Sequence, residues 1–397
     1  MAEDEADVNF QGYVLTNFPT IIEKILRNLP FRCLNSCARV CRVWEYAVKA
    51  IKARRKSVCW TTLETNNNVE ALAEEIKEYI EQLWIEPMQC LTFCSTNLFE
   101  EPIKVPGMHT RRCPRATKCE RMDIGNFIKR ALPKHCSYLA ISADGVVGTK
   151  SDLSKTVEIE SEKALSCLML PKIEDFDLYS FTVDIYRYAN RMEETNFGSF
   201  SVDEVSTVPK DKKVKAILFF CDEPFCPPEI GYSLLQHYGD IVVAGGNVDN
   251  LICPQKCSND PRDSLPSLMC IAFCGERLHV ASAVIREEVT SQAEVEKALK
   301  TLKDCNFPEQ RSFAFMFACI GRGQHHYNIA NVESDAFKKL FPKTPLLGFF
   351  GNGEVGFNYL PKFGKVSENN GSNTDRPRPL PKLYHAYTTI FCLMALE

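Results

Sequence analysis

The sequence predicts a mixed α+β/αβ protein: a small all-helical module, followed by a large domain with mixed, partly parallel sheets and covering helices. Three observations predict it. Between residues 15 and 60, apolar residues recur at helical spacing and are interrupted by prolines. Beyond residue 87, short apolar runs alternate with amphipathic helical patterns. One arrangement then occurs three times: strand, helix, strand, glycine turn. Its copies are "CLTFC" to "YLAISADGVVG", "AILFFC" to "DIVVAGGNVDN" and "FAFMFAC" to "PLLGFFGNGEVG".

The amino-terminal module reads as three short helices. Phe18-Pro19 opens the first, with proline where no amide donor is needed, and Ile22, Ile25, Leu26 and Leu29 share one face. Pro30 stops it. Leu34, Cys37, Ala38 and Cys41 follow at one-face spacing, then Trp44, Ala47, Val48 and Ile51. About forty-five residues cannot bury all of this apolar surface internally, so the surplus suits a partner. After a polar break at 61–68, Asn68 caps a helix carrying Val69, Leu72, Ala73, Ile76, Ile80 and Leu83, and Pro87 ends it.

In the large domain, continuous apolar strands imply a sheet covered on both faces, and the crossover connections of the three repeats imply at least partly parallel pairing. Between the second and third copies, "LMCIAFCGERLHVASAVI" reads as an antiparallel hairpin turning at Gly275. Ser291 and Glu294 then form a capping box. Residues 100–120, 190–213 and 358–382 read as loops, the last as disordered, while 384–396 regains a strand pattern that returns the chain to the core. The expected organisation is an acidic tail at 1–12, the helical module at 13–60, linker and helix at 61–86, and two halves of the large domain at 87–250 and 251–397.

A chain of 397 residues with 45% hydrophobic and 25% charged residues can build a large core. Its net charge of −4 gives no global case for nucleic acid or an anionic membrane, although 111–121 is locally basic. The acidic start lacks a signal-peptide core and no apolar run is long enough for a membrane span, so the chain is expected to stay inside the cell. Nineteen cysteines, spread through helices and strands, read as buried free thiols of a reducing compartment. Cys253 with Cys257, and Cys270 with Cys274, are the nearest approach to zinc spacing, but the second pair lies in a strand, so no metal and no cofactor is expected.

The X-Pro start, the Leu29-Pro30 break and Val40-Cys41-Arg42-Val43-Trp44 together resemble the F-box. The resemblance implies docking on the Skp adaptor, and through it on cullin and RING subunits, by Leu15, Phe18, Pro19, Ile22, Ile25, Leu29, Pro30, Leu34, Val40, Cys41 and Trp44. Farther on, "FMFACIGRG", "ESDAFKKLFP", "PLLGFFGNGEVG" and "HAYTTI" resemble the FIST domain, a module of amino- and carboxyl-terminal halves proposed to sense small ligands. The combination implies a non-catalytic substrate receptor of a ubiquitin ligase, recruiting target proteins for proteasomal degradation.

Glycine turns after strands let backbone approach a ligand closely, and none here fits a phosphate-binding fingerprint. The expected target or ligand site is therefore Cys319, Gly321, Arg322, Gly351, Asn352, Gly353 and Glu354. Arg322 is offered there to a carboxylate and Cys319 to an electrophile, with burial of Cys319 and an Arg322–Glu354 pair as the opposing reading. Two other function classes stay open: a small-ligand sensor without a ubiquitin role, and an enzyme using Cys319 with His325 or His326.

Overall fold

The computed structural model describes residues 18–105, 120–185, 200–222, 226–252, 268–361 and 380–397. The helical module comprises α1 (Pro19–Leu26), α2 (Phe31–Cys37) and α3 (Arg42–Arg54), with Pro19 in the first turn of α1 as its missing amide allows. Ile22, Leu26, Leu34, Val48 and Ile51 make a core of their own.

The rest of the chain is three copies of one unit that exchange strands in a ring. The first unit contributes Cys59–Thr65, Gln89–Ser95, Ser137–Ala143 and Lys163–Leu170 to one sheet. The second contributes Asp177–Val183, Val214–Cys221, Val242–Asn247 and Leu268–Cys274 to another. The third contributes Leu278–Ile285, Ser312–Cys319, Leu346–Gly351 and Thr389–Leu396. In each unit the middle two strands pair in parallel across a helix, and the last strand returns antiparallel beside the first of that pair. All three repeats expected from sequence therefore form parallel pairs.

Between its third and last strands, each unit sends a short excursion into a neighbour's sheet. Gly145–Thr149 of the first unit pairs with Leu346–Gly351 of the third. Asn250–Ile252 of the second pairs with Ser137–Ala143 of the first, and Glu354–Val355 of the third pairs with Val242–Asn247 of the second. The ring closes.

The sheets turn their inner faces to one central core, where Phe93, Phe220 and Phe317 come from the three corresponding strands. Their ring centroids lie 6.2, 6.3 and 5.7 Å apart, mostly edge to face, and Phe349 lies 5.1 to 6.0 Å from all three. The outer faces are covered by each unit's own helices: α4 (Val69–Glu81) and Ile124–Ala131, then Pro228–Tyr238, then Gln292–Lys303 and Val332–Leu340. Asn68 caps α4 and Ser291–Glu294 forms the capping box. Gly245 and Gly348 sit on parallel strands at φ +152° and +156°, where an added Cβ would meet a neighbouring strand's carbonyl oxygen at 1.9 and 1.8 Å.

Several expectations are corrected. Residues 61–65, read as a polar break, belong to the first strand; Thr61 and Thr62 are buried, and Thr62 Oγ1 lies 3.0 Å from the Thr149 carbonyl. The hairpin at Gly275 does not form. Leu268–Cys274 pairs with strands of the second sheet and Leu278–Ile285 with Thr389–Leu396 of the third, so Gly275 is the crossing between units. The loop at 100–120 begins and ends in a paired ladder, Ile103–Val105 with Glu120–Met122. Of the disordered loop, Asn358 and Tyr359 instead bond the 278–285 strand. The stretches 1–12, 106–119, 186–199 and 362–379 lie outside the described residues.

The helical module is joined firmly to the first unit. Phe31 packs into that unit's outer core and its amide donates to Leu83 O at 3.0 Å. Lys52 and Asn35 hold Glu86 at 2.8 and 3.2 Å, and the Arg55 guanidinium stacks 4.0 Å over Trp84.

Because each central phenylalanine faces the other two sheets, its loss is expected to weaken the whole large domain at once. Phe93→Ala should cost about 3–5 kcal/mol and Phe93→Leu under about 1.5 kcal/mol, in one cooperative transition. Denaturant unfolding followed by fluorescence and circular dichroism checks this; two separated transitions in either variant would contradict it.

Candidate functional site

Two places bring unusual side chains together. The first is the outer side of the helical module. Phe18, Ile21 and Ile25 stand at helical spacing and are 46%, 41% and 48% exposed, and Val40 is 64% exposed. Pro19 is also exposed, and Leu29, Pro30, Cys41 and Trp44 are half-buried. Ile22 and Leu34 are corrected to interior positions at 1% and 0% exposure, because three helices this short need them as their own core. Leu15 lies outside the described residues. Ile21 was missed: adjacent Ile21 and Ile22 divide between the two faces of α1, and only the inward residue fits the periodicity of the core stripe.

The second place is the carboxyl end of the parallel strands, where the three glycine turns interlock. Asn247 N donates to Gly353 O at 3.0 Å, Asp249 N to Ser142 O at 2.8 Å, and Ile320 N to Gly351 O at 2.8 Å. Asn352 Nδ2 lies 3.4 Å from Asp144 Oδ2, and Thr96 bonds the Asp249 carboxylate. Burial, then the charge of Asp249, pushes the Asp144 carboxyl upward. Cys319, Gly321, Gly351, Asn352, Gly353 and Glu354 are thus neighbours, as strand ends facing one another across a parallel pair must be.

Arg322 belongs to a different setting. Its side chain is fully buried, and Nε and Nη2 donate to Glu333 Oε1 at 3.0 and 2.6 Å. Nη1 reaches Arg286 O at 3.2 Å, Tyr327 OH donates to the same Glu333 oxygen at 2.7 Å, and His326 Nε2 lies 2.8 Å from Val289 O. Arg322 is therefore corrected from a ligand-binding residue to the anchor of the 320–331 loop, and its partner is Glu333 rather than Glu354.

Glu354 turns inward, 2% exposed, accepting from Thr388 N and Oγ1 at 3.0 and 2.8 Å. Burial pushes its carboxyl up to about 7. Cys319 is 7% exposed beside it, and burial followed by the Glu354 carboxylate raises the thiol. The exposed, activated Cys319 is corrected on that ground, and with it the thiol-nucleophile geometry. Cys270 and Cys274 lie in the second unit's core, Cys253 and Cys257 lie outside the described residues, and among the described residues no group of three or more histidines, cysteines, aspartates or glutamates could hold a metal.

A buried carboxyl beside Glu333 locks the strand exchange. Glu158, on the first unit's edge strand Thr156–Ile159, accepts from Ser334 N at 2.7 Å, so it caps a helix of the third unit. Asn331 Oδ1 accepts from Glu158 N at 2.7 Å. Burial, then the charge of Glu333, pushes the Glu158 carboxyl up to about 8. A carboxyl raised on folding contributes stability that is complete below its ordinary value of 4.5 and is lost as pH rises through about 8. Glu158→Gln keeps the acceptor and removes the titration. Stability measured from pH 4.5 to 8.5 should therefore fall less steeply in Glu158→Gln than in the parent; identical slopes would contradict the assignment.

With this geometry in view, comparison with known proteins is specific at both ends. The F-box domain model matches residues 15–56 and the FIST C domain model matches 269–357. F-box only protein 22 of Homo sapiens and of Pongo abelii are each 29% identical to this chain over 398 residues, covering 97% of it and 94% of the relative. The solved structure of cyanuric acid hydrolase from A. caulinodans aligns over 86% of this chain and 99% of its own at 8% identity, with a TM-score of 0.27. The chain thus carries a match to the F-box model at its amino-terminal module and to the FIST C model in its large domain, and it is similar over nearly its whole length to F-box only protein 22.

Proposed function

We propose that this chain is the substrate-recognition subunit of a Skp-cullin-F-box ubiquitin ligase: its F-box docks the Skp adaptor, and its FIST-like domain recruits proteins for ubiquitination and degradation, in cytoplasm and nucleus. The observation that carries the reading is the exposed ridge of Phe18, Ile21 and Ile25 on a module matched by the F-box model. Apolar side chains aligned on one helix face, beyond those the module buries, are the expected anchor of a protein interface of about 1,200–2,000 Å². The chain itself is a binding subunit in this reading, and catalysis resides in the partners. The raised Cys319 thiol and the engagement of His326 with Val289 and Arg322 favour it over a cysteine enzyme.

The ridge separates binding from folding. Phe18→Ala with Ile25→Ala should weaken association with the Skp adaptor by at least about a hundredfold and leave the melting temperature unchanged, since both side chains are exposed. Ile22→Ala should lower the melting temperature of the module instead. Copurification and calorimetry of the adaptor with each variant decide this; full-strength binding by the Phe18/Ile25 variant would remove the reading.

A further inference from the structure

The carboxyl-end face of the parallel strands has a composition that the adaptor-binding reading does not use. Ile320 and Tyr387 stand exposed at 44% and 57%, and Gly321, the residue after Ile320, lies against the Tyr387 ring, which a Cβ built there would meet at 3.0 Å. Tyr387 is held at φ +58°, a conformation an aromatic residue adopts only when its surroundings enforce it. The buried Arg322–Glu333 anchor fixes the loop that follows Ile320. An apolar pair is thus displayed on rigid backbone rather than folded away.

Acidic groups lie alongside. Ile320 N bonds Gly351 O, the next residue Asn352 reaches Asp144, and Asp144 feels Asp249, which is exposed. Asp222 follows the corresponding strand of the second unit, Val214–Cys221. A cation brought beside the adjacent Asp144 and Asp249 carboxylates is attracted by both, and the same charge repels nucleic acid and acidic peptides. Crevices outside the carboxyl ends of parallel strands are also the usual ligand position in such sheets.

We infer that this face is the target-docking surface, and that it takes a protein segment in which a basic side chain adjoins an apolar one: the apolar group covers Ile320 and Tyr387, and the lysine or arginine sits against Asp144 and Asp249. The inference rests on the substrate-receptor reading for its biological meaning, but its chemistry is independent of the adaptor.

The test uses the full chain and three fluorescent octapeptides: alternating leucine and arginine, alternating leucine and glutamate, and alternating serine and arginine. The leucine–arginine peptide should bind best, with an affinity that falls as salt rises. Asp144→Asn with Asp249→Asn should weaken it about tenfold and flatten the salt dependence, and Ile320→Ser with Tyr387→Gly should weaken it to a similar degree. Asn352→Lys, a change at an exposed position, should weaken the leucine–arginine peptide and strengthen the leucine–glutamate one. The Phe18/Ile25 variant should bind all three as the parent does. Unchanged leucine–arginine binding in the aspartate variant, equal binding of the serine–arginine peptide, or no exchange of preference in Asn352→Lys overturns the inference. Adaptor copurification from the same preparations keeps the two readings apart, because its loss strikes the ligase reading and leaves the peptide result standing.

Discussion

The contact on which the large domain depends is the meeting of Phe93, Phe220 and Phe317 at its centre. Each lies on a strand flanked on both sides by strands of its own unit, so the side chain that fills the shared core also fixes the angle of a whole sheet. Close packing at that point leaves no room for one unit to shift without the others. The strand excursions reinforce this from the rim, since each sheet is completed by an edge from another unit. The same arrangement brings the glycine turns together, because each turn lies where a unit leaves its own sheet for its neighbour's.

Much of this was legible in the sequence. The three repeats, their parallel pairs, the caps at Asn68 and Ser291, and the return of the carboxyl-terminal strand were all written in period and turn chemistry. What was hidden is the exchange. Gly145–Thr149 and Glu354–Val355 are short and follow glycine turns closely, so local pattern reads them as the tails of the preceding strands. Which sheet receives them is a property of the assembled units. The crossing at Gly275 misled for the same reason: two apolar strands around a glycine have the local signature of a hairpin, and only long-range pairing shows that they part.

At the candidate sites, sequence identified the neighbourhood better than the orientation. Cys319, Gly351 and Glu354 do meet, yet Glu354 and the Cys319 thiol turn inward, while Arg322 is consumed by Glu333, eleven residues on and absent from the reading. A charged residue's partner inside a fold is invisible to spacing. In the helical module, periodicity grouped Ile22, Ile25, Leu26 and Leu29 on one face of α1 and passed over Ile21, whereas Ile22 and Leu26 face Val48 and Ile51 and Ile21 and Ile25 face outward. The junction at Phe31, Glu86 and Trp84 was not anticipated either. Through it the docking ridge and the large domain share packed side chains as well as a chain connection, so the direction in which one faces is set by the other.

The ring of exchanged strands has a consequence for synthesis. A chain emerging amino-terminus first completes its F-box early, whereas the first unit lacks its edge strand until Asn250–Ile252 has appeared, and its own excursion has no ladder to join until Leu346–Gly351 does. The third sheet cannot close before Thr389–Leu396, which lies between Leu278–Ile285 and Ser312–Cys319, leaves the ribosome. Such late, long-range closure means that a chain stopped before Thr389 carries a finished helical module tethered to unfinished sheets, with the open strand edges that chaperones recognise and that aggregation uses.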